Sequence, residues 1–502
     1  MASNGRADTS LSMSQTEGHN EDTEKTHEPN KLIIQNINMR KCSYYIASTE
    51  AQSEGMCKCG YRKGDHDENA IDLPKQEQPQ QDLNWNFEQH STTKPTNAFG
   101  EIEFVGFNGN NAKFIRADSK TKIEHLLMMM KNVWKIQKPD ILISVIGGEE
   151  NFNLTPRLRE LLQSGLLNIA RDTAAWIVTG GTNIGVAKHV GEAVKYSRLQ
   201  FNDKNNIVAI GIAPWGCIHN KQLLEEIKQK EPIKYTIGVK PNEHERYLNP
   251  HHSHYILVDN GTQHQFETET TLRAEFECIK SCREYDIDSL PVVLLVVDGG
   301  PRILKTVRNS LSNDIPVVIV KGSGRVADLL AYAFESAEEF EFTDTDKGHA
   351  IRKTAKRLTN SHRHYIYNKM RSANICEKSK IDTYINQIEA CLDKFELITV
   401  FELGSCDQDL NNTLLQAIIK ATNVDLVEQV KRALHFNLID YARSDILTAD
   451  KSWKPGSLDD IMVAAIRSNR VDFVELLLIN GVDIKTFLTI KRLLELYNDV
   501  SL

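Results

Sequence analysis

Two sets of residues in this chain have the types and the spacing for chemistry. Cys42, Cys57, Cys59 and His66 form a C-x14-C-x-C-x6-H pattern within 25 residues. Three thiolates and an imidazole make an acceptable tetrahedral zinc shell, and a small metal-stapled module needs little core. The competing reading is free, packed cysteines, since C-x-C is a less common knuckle than C-x2-C. The second set is a series of glycine turns, each directly behind a short apolar run: Gly147-Gly148, Gly180-Gly181 with Asn183 and Gly185 following, Gly261-Thr262, Gly299-Gly300, and Gly322-Ser323-Gly324. Without side chains, backbone amides can approach a phosphate, and a helix starting there adds its dipole and orphan N–H donors. One such turn says little, because strand-to-helix turns need glycine anyway; five at the same edge point to a nucleotide-like ligand.

Two arginines extend that reading. Arg325 follows the last glycine turn at a helix start, where a cation opposes the dipole; an anionic ligand or a carboxylate, Asp328 or Glu160, accounts for it better than helix stability does. Arg273 lies in the helix after Gly261-Thr262 and faces either the same ligand or solvent. Catalytic sets are missing: the sequence has no Gly-x-Ser-x-Gly elbow, no GKT or GKS phosphate loop and no His-Glu-x-x-His. Glu267 and Glu269 are placed for acid or base work on a sugar, but no second group with matching spacing accompanies them, and capping or solvating the helix start explains them better. His252 and His254 read as strand-end hydrogen-bonding residues rather than metal ligands. The stretch HAIRKTAKRL, His349 to Leu358, reads as a basic helix with a solvated face.

The elements that must position these residues are short apolar, β-branched runs: ILISVI (141 to 146), AAWIVTG (174 to 180), IVAIGIA (207 to 213), YILVD (255 to 259), VVLLVV (292 to 297) and PVVIVKG (316 to 322). Several are apolar on both parities, as strands buried on two faces are. Helical stretches alternate with them, notably Thr155 to Ala170, Ile184 to Ser197 and Arg325 to Ser336. Such alternation predicts an α/β, Rossmann-like, doubly wound and mainly parallel sheet, whose ligands bind at the carboxyl ends of the strands. After about residue 345 helices take over. ALHFNLIDYARSDIL from Ala433 and AIRSNRVDFVELLLI from Ala465 align at a spacing of 32, matching at Ala433/Ala465, Asn437/Asn469 and Asp440/Asp472. That period suits ankyrin-like helical repeats.

The expected organisation is a disordered leader over 1–30, a Cys/His-containing segment and linker over 31–98, the ligand-sensing α/β domain over 99–345 and an all-α, ankyrin-like region over 346–502. At 502 residues the chain is too long for one core. Hydrophobic residues at 40% and charged residues at 25% are ordinary globular values and exclude fibrous or wholly disordered chains. The net charge of −8 offers no broad surface for nucleic acid. Nine scattered cysteines do not make a disulfide framework, and the first residues lack the apolar core of a signal peptide, so a cytosolic setting is expected. No apolar run approaches the roughly 18 residues a membrane span requires.

From about Lys41 onward the sequence resembles the cytosolic N-terminal region of the melastatin-type transient receptor potential (TRPM) cation channels. The phrases carrying the resemblance are CKCGYRKGDH, AFGEIEF, KPDILISVIGG, NFNLTPRL, WIVTGGTNIGV, APWG, HSHYILVDNGT, VVDGGP, VVIVKGSGRVADLLA and WKPGSLDDIMVAAIRSNRVDFVELLL, in order. The resemblance implies a SLOG-type Rossmannoid domain followed by helices that lead toward a membrane domain. It implies a region on the cytoplasmic face of a plasma-membrane, calcium-permeable, non-selective channel of four identical subunits, without enzymatic activity. Within the family the likeness is to the ADP-ribose-gated member. It would place phosphate-facing arginines at Arg273 and Arg325 and an aromatic neighbour at Phe266, where the family's tyrosine hydroxyl is missing. Gly180, Gly181, Asn183, Gly261, Thr262, Gly299, Gly300, Gly322, Ser323 and Gly324 would line the ligand, ADP-ribose or a related adenine nucleotide. SLOG folds also resemble phosphoribohydrolases, of whose motif Gly261-Thr262 with Glu267 is a stretched echo, and a ligand-free scaffold is the third expectation.

Overall fold

A strand apolar on both parities has no face to offer water, so it is stable only inside a sheet covered on both sides. A computed structural model describes residues 28–48, 55–71, 85–107, 110–148, 152, 154–201, 207–225, 231–239, 241–279, 285, 290–346, 349–405, 409–421, 425–448 and 451–499. Most of the expected leader and the Gln/Pro-rich linker lie outside the described residues. The strands are β1 (Asn38–Cys42), β2 (Ser91–Pro95), β3 (Phe99–Phe104), β4 (Asn111–Asp118), β5 (Leu142–Gly147), β6 (Trp176–Thr179), β7 (Val208–Pro214), β8 (Ile233–Tyr235), β9 (His254–Asp259), β10 (Val292–Val297), β11 (Val317–Lys321), β12 (Glu338–Asp346), β13 (His349–Arg357) and β14 (Ile398–Glu402).

Ten of them form one sheet in the order β14-β11-β10-β5-β6-β7-β9-β4-β3-β8, parallel except at β3–β4. The six apolar runs are its contiguous centre, β11 to β9, so the doubly wound α/β fold is as the sequence implies. Alternation assigns their side chains: Leu142, Trp176 and Leu294 enter one core, and Ile143, Ile177 and Val293 enter the other. Each such residue, fully buried, contributes roughly 1.5–3 kcal/mol. From β5 the chain winds one way through β6, β7 and β9, then returns to the other side of β5 for β10 and β11. The reversal between β5 and β10 opens a crevice at their carboxyl ends, where open α/β sheets take ligands.

Beyond residue 345 the structure is less uniformly helical than the sequence implies. HAIRKTAKR is not a basic helix: it is β13, paired antiparallel with β12 from Glu338↔Arg357 to Asp346↔His349. The reason is the partner strand, whose Glu339 lies 3.4 Å from Lys356, while Arg357 sits 4.5 Å over the Phe340 ring; cross-strand charge and ring pairs of this kind override a weak helical period. β14, also from this region, extends the sheet by pairing parallel with β11.

The two aligned segments are helical hairpins, Leu426–His435 turning into Ile439–Tyr441 and Asp459–Arg467 turning into Val471–Ile479. Their matched residues do the same work. Ala433 and Ala465 are fully buried, and Asn437 and Asn469 take the left-handed conformation, φ 55° and 54°, that closes a helix end. Among the described residues no helix is long and apolar enough to cross a membrane.

Candidate functional site

The crevice at the β5/β10 reversal is a cleft of about 200 Å³. Its floor is the ends of β5, β6 and β7, from Val145 to Gly148 with Gly180, Thr182 and Pro214. Its walls are the helices Thr270–Glu277 and Ile303–Ser312. Gly147 is required by close approach, because a Cβ there would lie 1.9 Å from the Val297 carbonyl oxygen. Gly180, by contrast, has nothing within 4 Å of where its Cβ would be, so its backbone faces open space in the cleft.

Arg273 reaches the cleft from the helix Thr270–Glu277. Its Nε donates to Glu277 Oε1 at 2.7 Å, and its Nη2 donates to Ser144 Oγ at 2.9 Å and to the Val145 carbonyl at 3.3 Å. Glu277 and Ser144 are buried, and the serine hydroxyl donates in turn to Glu277. A guanidinium held on one side by a carboxylate is pre-organised to offer its remaining edge to an anion. Phe266, also lining the cleft, carries the Arg246 guanidinium 5.0 Å over its ring. Glu267, with φ 68°, is 3.2 Å from Arg302. Burial pushes the thiol of Cys217, another lining residue, up to about 12, so it is neutral here.

The expected site residues therefore fall into four groups. Gly180, Phe266 and Arg273 line the cleft. Asn183 stands just outside it, its Oδ1 accepting from Asn249 Nδ2 at 3.1 Å, and Gly181 packs against Gly211. Gly299, Ser323, Gly324 and Arg325 cluster instead around Asp298, a buried residue directly after β10, while the Gly322 amide donates to Asp328 Oδ1 at 2.7 Å and Gly300 has nothing within 4 Å of where its Cβ would be. Arg325 grips Asp298 with both Nε (3.0 Å to Oδ1) and Nη2 (2.7 Å to Oδ2), so its carboxylate partner is neither Asp328 nor Glu160. Gly148 joins the two groups: it lines the cleft, and a Cβ on it would meet Asp298 Oδ2 at 2.6 Å and Arg325 Nη2 at 3.0 Å. Gly261 and Thr262 face away, against Arg40 and Ser91 of the N-terminal segment and against Gly216.

Sequence reading missed Arg246, Arg302 and Lys305, which add positive charge to the cleft wall. Arg246 sits in an irregular polar loop and gave no periodic signal, whereas Arg302 follows the Gly299-Gly300 turn after one proline and was open to the same argument as Arg325. His252 shares a 2.7 Å hydrogen bond with Thr179 and is buried, consistent with a strand-end role.

The N-terminal cysteine and histidine residues converge. The ligating atoms of Cys42, Cys57, Cys59 and His66 lie within 4.8 Å of one another, and all four residues are buried. These residues could hold a metal ion.

Comparison with known proteins gives a consistent result. A family profile described as "SLOG in TRPM" matches residues 112–374, and one described as "TRPM2-like domain" matches residues 445–502. The chain is 34% identical over 481 residues to transient receptor potential cation channel subfamily M member-like 2 of Nematostella vectensis, covering 93% of this chain and 30% of that protein. It is 34% identical over 494 residues to subfamily M member 2 of Rattus norvegicus, covering 95% and 32%, and 37% identical over 448 residues to subfamily M member 7 of Homo sapiens, covering 87% and 22%. The chain thus spans a third or less of the length of these relatives.

Proposed function

From the premise that the chain belongs to the SLOG-in-TRPM family, an N-terminal region of TRPM channels, we propose that it senses a ligand for a calcium-permeable, non-selective cation channel. The ligand is an adenine nucleotide of the ADP-ribose class, and the function is binding and gating without chemistry. The observation that carries this reading is the placement of Arg273 at the strand-order reversal, braced by Glu277 and Ser144 beside the glycine-lined floor. Phosphate would sit against Arg273 and Arg302, and a base or ribose against the Phe266 face. Arg325 would act through Asp298 by fixing the Gly148 turn.

Ligand binding would tie the helices Thr270–Glu277 and Ile303–Ser312 to the ends of β5 to β7, and the helical region beyond β13 would pass the shift to neighbouring subunits. The working assembly would be a channel of four such subunits with this region on the cytoplasmic side. The test is isothermal titration of the purified chain with ADP-ribose, AMP and NAD, with Arg273→Ala alongside. Heat with ADP-ribose that is lost in the variant is expected. Absence of heat and of thermal shift with all three ligands overturns the reading, and release of free base from any of them would favour hydrolysis through Glu267.

A further inference from the structure

We propose that Cys42, Cys57, Cys59 and His66 bind one structural zinc ion, and that this ion pins the N-terminal segment to the loop after β9. The four donors come from three separate places: the end of β1, the turn 57–60 and the short helical turn at 63–65. A tetrahedral Cys3His shell around zinc needs sulfurs about 3.8 Å apart, given bonds near 2.3 Å. Donor atoms already within 4.8 Å of one another reach that spacing by contracting about 1 Å or less.

Details around the donors match a ligand set. His66 Nδ1–H donates to the Arg62 carbonyl at 2.8 Å, which fixes the tautomer and turns the Nε2 lone pair toward Cys59 Sγ, 3.4 Å away. The Ile46 amide donates to Cys57 Sγ at 3.3 Å, a bond that strengthens when the sulfur is a thiolate. The Gly60 amide donates to the Cys57 carbonyl at 2.9 Å and the Cys57 amide to the Tyr61 carbonyl at 2.8 Å, a tight turn that presents both C-x-C thiols on one side. All four donors are protein side chains and none is a carboxylate, so the shell is closed and soft: a structural site rather than a catalytic one, suited to zinc over magnesium or calcium.

The rival account is free thiols donating to the Tyr44 carbonyl, 3.1 Å from Cys42 Sγ and 3.8 Å from Cys57 Sγ. It leaves the residues around the cysteines with a very small apolar core of their own. That core is the three cysteines with only partly buried Tyr45, Tyr61 and Trp85 around them, and those cysteines form no disulfide. Cores of that size depend on a staple. Zinc binding would release the three thiol protons to solvent and leave a singly negative centre, its ligand bonds replacing the missing core.

The pinning follows from one turn. Gly60 approaches the β9 loop so closely that a Cβ would lie 2.5 Å from the Gln263 carbonyl oxygen, and the Gln263 amide donates to the Cys59 carbonyl at 2.8 Å. Gln263 is three residues before Phe266. A metal that fixes Cys59 therefore fixes the base of the loop that delivers Phe266 to the cleft. The zinc assignment itself does not depend on what the cleft binds.

The experiment uses the full, reduced chain purified without chelator. Metal analysis should find one equivalent of zinc. After chelation, cobalt(II) titration should give the visible bands of a tetrahedral site and a thiolate-to-cobalt charge-transfer band, saturating at one equivalent. Cys57→Ser/Cys59→Ser should abolish both, whereas Cys391→Ser, a buried thiol elsewhere, should abolish neither. Removing the metal should speed hydrogen exchange at the Gln263 amide by about tenfold or more. Should the double variant not fold, the cobalt spectrum of the wild-type chain decides alone. Negligible zinc together with no cobalt band, or a full equivalent persisting in the double variant, overturns the site. Stoichiometric zinc with unchanged Gln263 exchange overturns the pinning.

Discussion

Arg273 and Glu277 are bonded one helical turn apart at the cleft, Nε to Oε1 at 2.7 Å, and the carboxylate of the pair is almost wholly buried. The arginine is thereby the counter-charge of a buried group, and in the proposed function it is also the ligand contact. Arg273→Ala should weaken ADP-ribose binding by about 10- to 150-fold, the equivalent of roughly 1.5–3 kcal/mol for a charged hydrogen bond. It should also lower stability by about 3–5 kcal/mol by stranding Glu277. Adding Glu277→Gln should restore much of the stability and none of the binding. Calorimetry and urea denaturation on the two variants check the separation.

Arg325 presents the opposite balance. Its Nε and Nη2 hold Asp298, and Nη2 lies against the Gly148 turn that lines the cleft. Arg325→Ala should unpair a buried carboxylate and destabilise the chain by about 2–4 kcal/mol. The loss of nucleotide affinity should be smaller than for Arg273→Ala. A larger loss of affinity than at Arg273 would show direct ligand contact and refute the positioning role.

Neighbouring glycines should respond differently. Gly181 has φ +65°, and a Cβ on it would lie 2.5 Å from the Gly211 Cα, so Gly181→Ala should yield little folded protein. Gly180→Ala meets nothing within 4 Å and should keep its melting temperature. Its methyl group projects into the cleft, so binding should fall about tenfold, near 1.4 kcal/mol. Thermal melts with titration of the folded variant test both outcomes.

Acid should destabilise the chain through three histidines near the start of β9. Burial first, then a neighbouring basic group (His251 for His252, Lys113 for His254, Lys195 for His251) and after it Arg198, bring His252 and His254 down to about 3 and His251 down to about 4. Unfolded histidine titrates near 6.5, so between those values the unfolded chain binds more protons and stability falls as pH drops. Each histidine should contribute about 1 kcal/mol per pH unit between pH 6 and 5. Urea midpoints at pH 7.5 and 5.0 should show the decline, and His252→Gln should make it shallower. A midpoint unchanged between these pH values would contradict it.

How much was legible depended on how local the signal was. β10 reads as VVLLVV because two cores demand apolar residues on both parities, and Asn437 with Asn469 shows because a left-handed helix cap selects asparagine at the repeat spacing. β13 was misread because basic residues at short intervals fit a helix as well as a strand; only the pairing of Glu338 with Arg357 decides, and that is a tertiary fact. The glycine turns announced the sheet edge correctly, but not which of them face one cleft. Gly180 and Gly324 each follow an apolar run, and only the strand order places the first on the cleft and the second beside Asp298. The partner of Arg325 was equally hidden, since Asp298 lies 27 residues away along the chain.

The parallel register of β14 on β11, from Val317↔Ile398 to Lys321↔Glu402, sets where this polypeptide can be cut. A recombinant fragment stopping near residue 345 would strip β11 of its outer neighbour and leave a straight row of valines and an isoleucine with open amides and carbonyls, a template for chain-to-chain stacking. The smallest piece able to stay in solution with the β5/β10 cleft intact should run through Ala421, keeping β14 and the helix Leu410–Ala421 that packs on it.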